Sequence, residues 1–303
     1  MSDCGCGRSA AETFDAKAAI ARLSEKYDQL AGLMSKYMSE AGMERPQRAA
    51  RAMTMARELE RIVGGVRTLG FPDCSLIGRR NTNGTLSWFC TGVLVHPRIV
   101  LTAGHCFIPD RRANIVALGA TDEDQLQQAE LISIRRMVQH PRYRQTHQLS
   151  DMSVIILRKA SAVAPTPIAT TAEAGAATET TLVGFGNDDV NSTRGFGIKR
   201  EVTVPVTQMR RAATDNLDAA EQTLGFESDL EFVAGGNGFD SCNGDSGGPA
   251  YIKVGAALKV AGLTSRATDT AGHPCGDGGI YTRIDKHVDF IRQMAQDAGI
   301  TDF

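Results

Sequence analysis

Asp240-Ser241-Cys242-Asn243-Gly244-Asp245-Ser246-Gly247-Gly248-Pro249 is the stretch on which the reading of this chain turns. A serine becomes a useful nucleophile only where the backbone turns sharply enough to expose its hydroxyl beside converging N–H groups. Glycines on both sides of Ser246 permit that turn. Gly244 and Ser246 can each aim an N–H at an oxygen that becomes negative in acyl transfer, while Asp245 between them is a carboxylate in need of a partner. The competing reading is a polar, glycine-rich surface loop.

Two upstream segments bear on that choice. Thr102-Ala103-Gly104-His105-Cys106 follows the apolar run Ile99 to Leu101, so His105 leaves the end of an expected strand. Asp151 precedes Val154-Ile155-Ile156-Leu157, a short buried-strand pattern. Alone, the histidine reads as a packed or surface side chain and the aspartate as a turn residue. In the order His105, Asp151, Ser246, with the glycine-rich turn, they resemble the trypsin and chymotrypsin family of serine endopeptidases. Ile62-Val63-Gly64-Gly65, Leu182-Val183-Gly184-Phe185-Gly186 and Gly279-Ile280-Tyr281-Thr282-Arg283 extend the resemblance from Ile62 to about the chain end.

The resemblance implies an all-β fold of two six-stranded antiparallel β-barrels with a cleft between them and a C-terminal helix. For that helix, Val288, Ile291 and Met294 recur at helical spacing within residues 286–299. It implies Ser246 as nucleophile, His105 as general base and then acid, Asp151 as the carboxylate orienting the imidazole, and Gly244 and Ser246 as the oxyanion hole. Ser265 corresponds to the serine that supports the aspartate. Disulfides Cys90–Cys106 and Cys242–Cys275 match the family pattern. Asp240 falls where trypsin-like members carry a pocket-floor carboxylate, which implies cleavage after Arg or Lys. Gly279 matches a glycine that leaves this pocket open, Ala267 stands where glycine is usual, and Arg266 replaces the usual tryptophan. Arg61 before Ile62 has the form of an activation junction, where cleavage frees an α-amino group to pair with Asp245. Asp122-Glu123-Asp124 is expected to be a solvated turn, not a calcium loop.

Composition sets the remaining bounds. A net charge of −2 over 303 residues gives no reason to expect nucleic acid or an anionic membrane as partner. Protein or peptide substrates with Arg or Lys at the cleavage site are the expected partners. No cofactor or metal is expected. Cys4, Cys6 and Cys74 are left over; Cys4 and Cys6 admit a metal or redox reading, but without a second ligand cluster they read as ordinary thiols. Disulfides imply an oxidising compartment, yet residues 1–30 contain no continuous apolar core of signal-peptide length, so the expectation is a cytoplasmic protein, with secretion as the alternative.

Residues 1–61 form a separate region, expected as a helical propeptide or regulatory segment before a protease domain at 62–303. Ile20, Leu23, Tyr27, Leu30, Met34 and Tyr37 step along one helical stripe, and a second helix can run from Pro46 to Leu59. The alternative is a marginal helix that orders only when packed. Two other functional readings stay open: a catalytically silent protease fold used for binding, and a scaffold acting through its N-terminal helices, whose stripe offers a surface for a regulatory partner.

Overall fold

The computed structural model describes residues 65–108, 112–146, 148–189 and 191–303. The expected N-terminal helices, Arg61, Ile62, Cys4 and Cys6 lie outside the described residues. Short apolar runs separated by turns produce the strands. β1 (Val66–Arg67) is followed by β2 (Cys74–Arg80), β3 (Leu86–His96), β4 (Ile99–Thr102), β5 (Ile115–Leu118), β6 (Glu130–Gln139) and β7 (Ser153–Leu157). Strands β4 and β7 are buried along their whole length, as their unbroken apolar runs require.

Strands β2-β3-β4-β7-β6-β5 close into an antiparallel barrel, hereafter barrel one. Its interior holds Ile77, Leu94, Val100, Val116, Ile155 and Leu157. The second half comprises α1 (Thr171–Ala176), β8 (Glu179–Gly184), β9 (Arg200–Gln208), α2 (Asp218–Leu224), β10 (Glu231–Ala234), β11 (Pro249–Val254), β12 (Ala257–Ala267) and β13 (Gly279–Arg283). The pairing order β9-β10-β13-β12-β11-β8 closes through β8 with β9, making barrel two, with β1 added at the edge of β9. Fold expectation and structure agree: two closed six-stranded antiparallel barrels and a C-terminal helix.

That helix, α3 (Val288–Asp297), is shorter than the expected 286–299 segment. Ile284–Lys286 forms a separate 3-10 turn, and Gly299 ends the segment at φ +72°. Ile291 and Ala295 on α3 join a core cluster that draws residues from both barrels, including Leu101, Val154, Val183 and Tyr251. Each fully buried aliphatic side chain there contributes roughly 1.5–3 kcal/mol. The barrels are therefore seated on one another by apolar contact.

The acidic turn differs from expectation in one respect. Asp124 is exposed, but Asp122 and Glu123 are half-buried, because Glu123 N–H donates to Gly197 O at 2.8 Å and Asp122 bridges to Ile198. Cys74 is a buried free thiol at the start of β2, its pKa pushed well up by burial.

Candidate active site

The end of β4 delivers His105 into a 3-10 turn, Gly104–Cys106, at the edge of barrel one. A Cys90–Cys106 disulfide ties this turn back to β3. Asp151, fully buried, stands just before β7, the strand paired with β4. Its carboxylate receives three hydrogen bonds: His105 N–H donates to Oδ1 at 2.8 Å, His105 Nδ1 meets Oδ2 at 2.8 Å, and Ser265 Oγ donates to Oδ2 at 2.6 Å. With Nδ1 as the donor, the lone pair of Nε2 is free to accept a proton. The imidazole is about one-third exposed, its side chain having a relative accessibility of 30%.

Ser246 comes from barrel two. The loop before β11 turns at Gly244, φ +98°, and Gly247, φ +77°. A Cβ at Gly247 would run into Thr102 Oγ1 and Ala103 N, so the chain passes close against barrel one only because this residue has no side chain. Thr91 of β3 holds the loop at two points: its N–H donates to Ser246 O at 2.9 Å and its hydroxyl donates to Gly244 O at 2.8 Å. Barrel two reciprocates, since Ser265 and Thr282 bond Asp151 from β12 and β13, the latter at 3.2 Å to the backbone oxygen. The N–H groups of Gly244 and Ser246 donate to no acceptor among the described residues. They remain available to an incoming oxyanion. Among the described residues Ser246 Oγ makes no hydrogen bond to His105 Nε2, and such bonds tighten on substrate binding.

Asp245 points the other way, into the interior. Gly186 N–H donates to its Oδ1 at 2.7 Å and Cys242 N–H to its Oδ2 at 2.8 Å. Burial nevertheless pushes its pKa up to about 6. Beside it the Cys242–Cys275 disulfide ties the loop to the segment before β13.

A narrow cavity of about 50 Å³ opens beside Ser246, with Asp240, Ser241, Ser265, Arg266, Ala267 and Pro274 in its wall. Asp240 is 2% exposed, and its Oδ1 accepts from Ser241 N–H at 2.7 Å and Tyr281 Oη at 2.8 Å. Burial raises its pKa to about 7 in spite of those bonds. Gly279 lies behind it: a Cβ there would fall 2.8 Å from Asp240 Oδ1 and 3.0 Å from Tyr281 Oη. Ala267 is exposed on the wall.

Arg266 does not reach into this space as a free cation. Its guanidinium meets Glu231 at 2.7 and 2.9 Å, donates to Gly225 O at 2.8 Å, and reaches Ser265 Oγ at 3.3 Å. Because the one proton of Ser265 is directed at Asp151, the hydroxyl oxygen is the acceptor for Arg266. A continuous chain thus runs from buried Glu231 through Arg266 and Ser265 to Asp151 and His105. Sequence reading singled out Arg266 but missed Glu231 and Thr91. A glutamate within the otherwise apolar stretch Glu231–Ala234 was the available signal for the first; an ordinary strand threonine gives no signal for the second.

No group of residues suited to holding a metal ion occurs among the described residues. A trypsin family model matches residues 73–291. Mouse tryptase is 30% identical over 257 residues, spanning 80% of this chain and 91% of its own length. A trypsin of Saccharopolyspora erythraea is 28% identical over 211 residues, 68% of this chain and 86% of its own. Phenoloxidase-activating factor 3 of Holotrichia diomphalia is 30% identical over 263 residues, 77% of this chain and 72% of its own. The relatives are mostly secreted or extracellular proteases, which overturns the cytoplasmic location expected from residues 1–30 and points to secretion. The two disulfides fit that correction, since such bonds persist in oxidising compartments.

Proposed function

The chain belongs to the trypsin family of serine proteases, and from that premise we propose that it is an endopeptidase cleaving after arginine or lysine, made as a zymogen. The observation that carries the specificity is Asp240, a carboxylate 2% exposed in the wall of the cavity beside Ser246. A substrate guanidinium or ammonium supplies the counter-charge that burial denies it, whereas a neutral side chain leaves it unpaired.

Ser246 Oγ attacks the scissile carbonyl carbon while His105 Nε2 takes the hydroxyl proton. The carbonyl oxygen becomes an oxyanion facing the Gly244 and Ser246 N–H groups. His105 then gives its proton to the leaving amine, the C–N bond breaks, and an acyl ester remains on Ser246. Water, deprotonated by His105, hydrolyses that ester and restores the hydroxyl. Asp151 keeps the imidazole in the Nδ1–H tautomer and stabilises it when positively charged.

Activation rests on Arg61, Ile62 and Asp245. Cleavage after Arg61 frees an amine at Ile62, with an ordinary pKa of about 8. Pairing it with Asp245 adds a cation to a carboxyl already held by Gly186 and Cys242, and selects the arrangement in which the Gly244 N–H faces the substrate. Pairing raises the amine's pKa, so the active arrangement is favoured below the unpaired value and lost as pH rises through the paired one.

Fluorogenic arginine and phenylalanine peptides test this reading. Ser246→Ala should abolish fluorophosphonate labelling and lower turnover by several orders of magnitude. Asp240→Ser should depress arginine cleavage far more than phenylalanine cleavage; an unchanged ratio would remove Asp240 from the specificity pocket. Uncut Arg61→Gln protein should be nearly inactive, and activity equal to that of protein beginning at Ile62 would refute the zymogen reading.

A further inference from the structure

Outside the cleft, next to the turn that carries His105, barrel one has two adjoining surface cavities that share Asn114 and Ile134. Their volumes are about 330 and 380 Å³. Arg112, Arg135 and Arg136 line the first, and Arg79, Arg80 and Arg158 line the second. In a chain of net charge −2, that places six cations on one face. Among the described residues none of the six takes part in an ion pair, and none donates a hydrogen bond from its guanidinium. By contrast, the arginines of barrel two are largely engaged, Arg266 with Glu231 and Arg200 with Asp188 among them.

The platform beneath the six is built from regular structure. Asn114 accepts Arg80 N–H on its side-chain oxygen at 2.7 Å and returns a bond from Nδ2 to Arg80 O at 3.1 Å, pinning β2 to the start of β5. Strand β6 shifts register against β7 between Ile134 and Arg136, a bulge that re-aims the arginines there. Phe107, Ile108, Ile134 and Met137 put apolar side chains in the wall of the first cavity, whereas most of the residues lining the second are arginine, asparagine, serine or threonine.

We propose that these cavities form a binding site for an acidic protein segment in which aromatic or aliphatic side chains alternate with carboxylates. Unpaired guanidinium groups present forked donors that match carboxylates bidentately. The apolar lining of the first cavity favours such a segment over a uniformly polar polyanion, which would leave Phe107, Ile108 and Met137 without a partner. Residues 1–61 are close to charge balance, so the acidic occupant belongs to another molecule. Phe107 follows the His105 turn directly, and a segment held here stays tethered beside the cleft. The site thereby supplies a second determinant of substrate choice, separate from the pocket at Asp240.

The test is direct binding to the full chain, read by fluorescence anisotropy without any turnover, so it stands or falls apart from the proposed specificity. The probe is a short labelled peptide alternating glutamate with phenylalanine and leucine and lacking arginine and lysine. It should bind, and binding should weaken as salt rises. Arg80→Glu with Arg135→Glu should weaken it about tenfold or more, with the unfolding temperature unchanged. Should that pair fail to fold, Arg80→Gln with Arg135→Gln is used and the same direction is expected. A peptide with glycine in place of phenylalanine and leucine, and a sulfated polysaccharide, should each bind more weakly than the probe. Absence of probe binding, equal binding by the variants, or equal or tighter binding by either of those two polyanions would overturn the proposal.

Discussion

Barrel one encloses Ile77, Leu94, Val100, Ile155 and Leu157 and turns its arginines outward, whereas barrel two and its loops draw the pairs Glu231–Arg266, Asp188–Arg200 and Arg283–Asp285 inward. The first is held by hydrocarbon packing. The second adds ion pairs whose desolvation offsets much of their attraction, so their value lies in dictating one arrangement of loops more than in net stability. This division matches what each half supplies: barrel one holds a histidine and an aspartate at strand ends, while barrel two must keep the Asp240 cavity, the Ser246 turn and the buried Asp245 in register.

The contrast can be broken most sharply at Arg266. Arg266→Met strands the fully buried Glu231 and should cost about 3–5 kcal/mol. Adding Glu231→Leu should recover most of that in urea unfolding, since both charges are then gone; no recovery would mean that the pair is a net source of stability. In barrel one, Ile155→Ala removes a fully buried side chain and should cost about 2–5 kcal/mol through transfer and cavity terms. No charge compensation at a neighbouring position should rescue it.

Thr91→Val sharpens the comparison at the seam. It keeps the shape but withdraws the hydroxyl from Gly244 O and Phe185 N–H, at a cost of about 1–3 kcal/mol for the buried groups left without a partner. If Thr91 holds the oxyanion turn, kcat falls with KM little changed, and Thr91→Ser restores it.

The pH response of Asp240 is the most gradual effect, growing by about 1.4 kcal/mol per unit. Its raised pKa means that it takes up a proton as pH falls through about 7, so KM for an arginine peptide should rise by about tenfold for each further unit of acidity. A phenylalanine peptide should not follow. For stability the sign is opposite to that of a carboxylate held by a cation. The folded protein keeps a proton that the unfolded chain releases near pH 4, so this group costs stability as pH rises from about 4 to about 7. Asp240→Asn should flatten that part of the profile.

Much of this architecture was legible in the chain. Runs such as Ile99–Leu101 and Val154–Leu157 declare buried strands because burial on every side leaves no room for polar alternation, and the turn around Ser246 is encoded locally by its glycines. Both disulfide pairings implied by the family resemblance are formed. What sequence did not disclose depends on contacts between distant strands: Thr91 lies 153 residues from Gly244 and Glu231 lies 35 from Arg266. Neither spacing has a periodic signature. Location is carried by the cysteine pattern, whose disulfides call for an oxidising compartment, and not by the absence of an apolar core in residues 1–30.

Thr91 gripping the serine loop while Ser265 and Thr282 grip the aspartate makes each half the template for the other's chemistry. Nothing reactive is complete within either barrel. The molecule therefore behaves as a logical conjunction: a fault in one barrel's folding is reported as silence from the whole, and no partly built intermediate can act as a slow, unselective protease. For a serine protease such an all-or-none readout is a form of safety that no dedicated inhibitor has to supply.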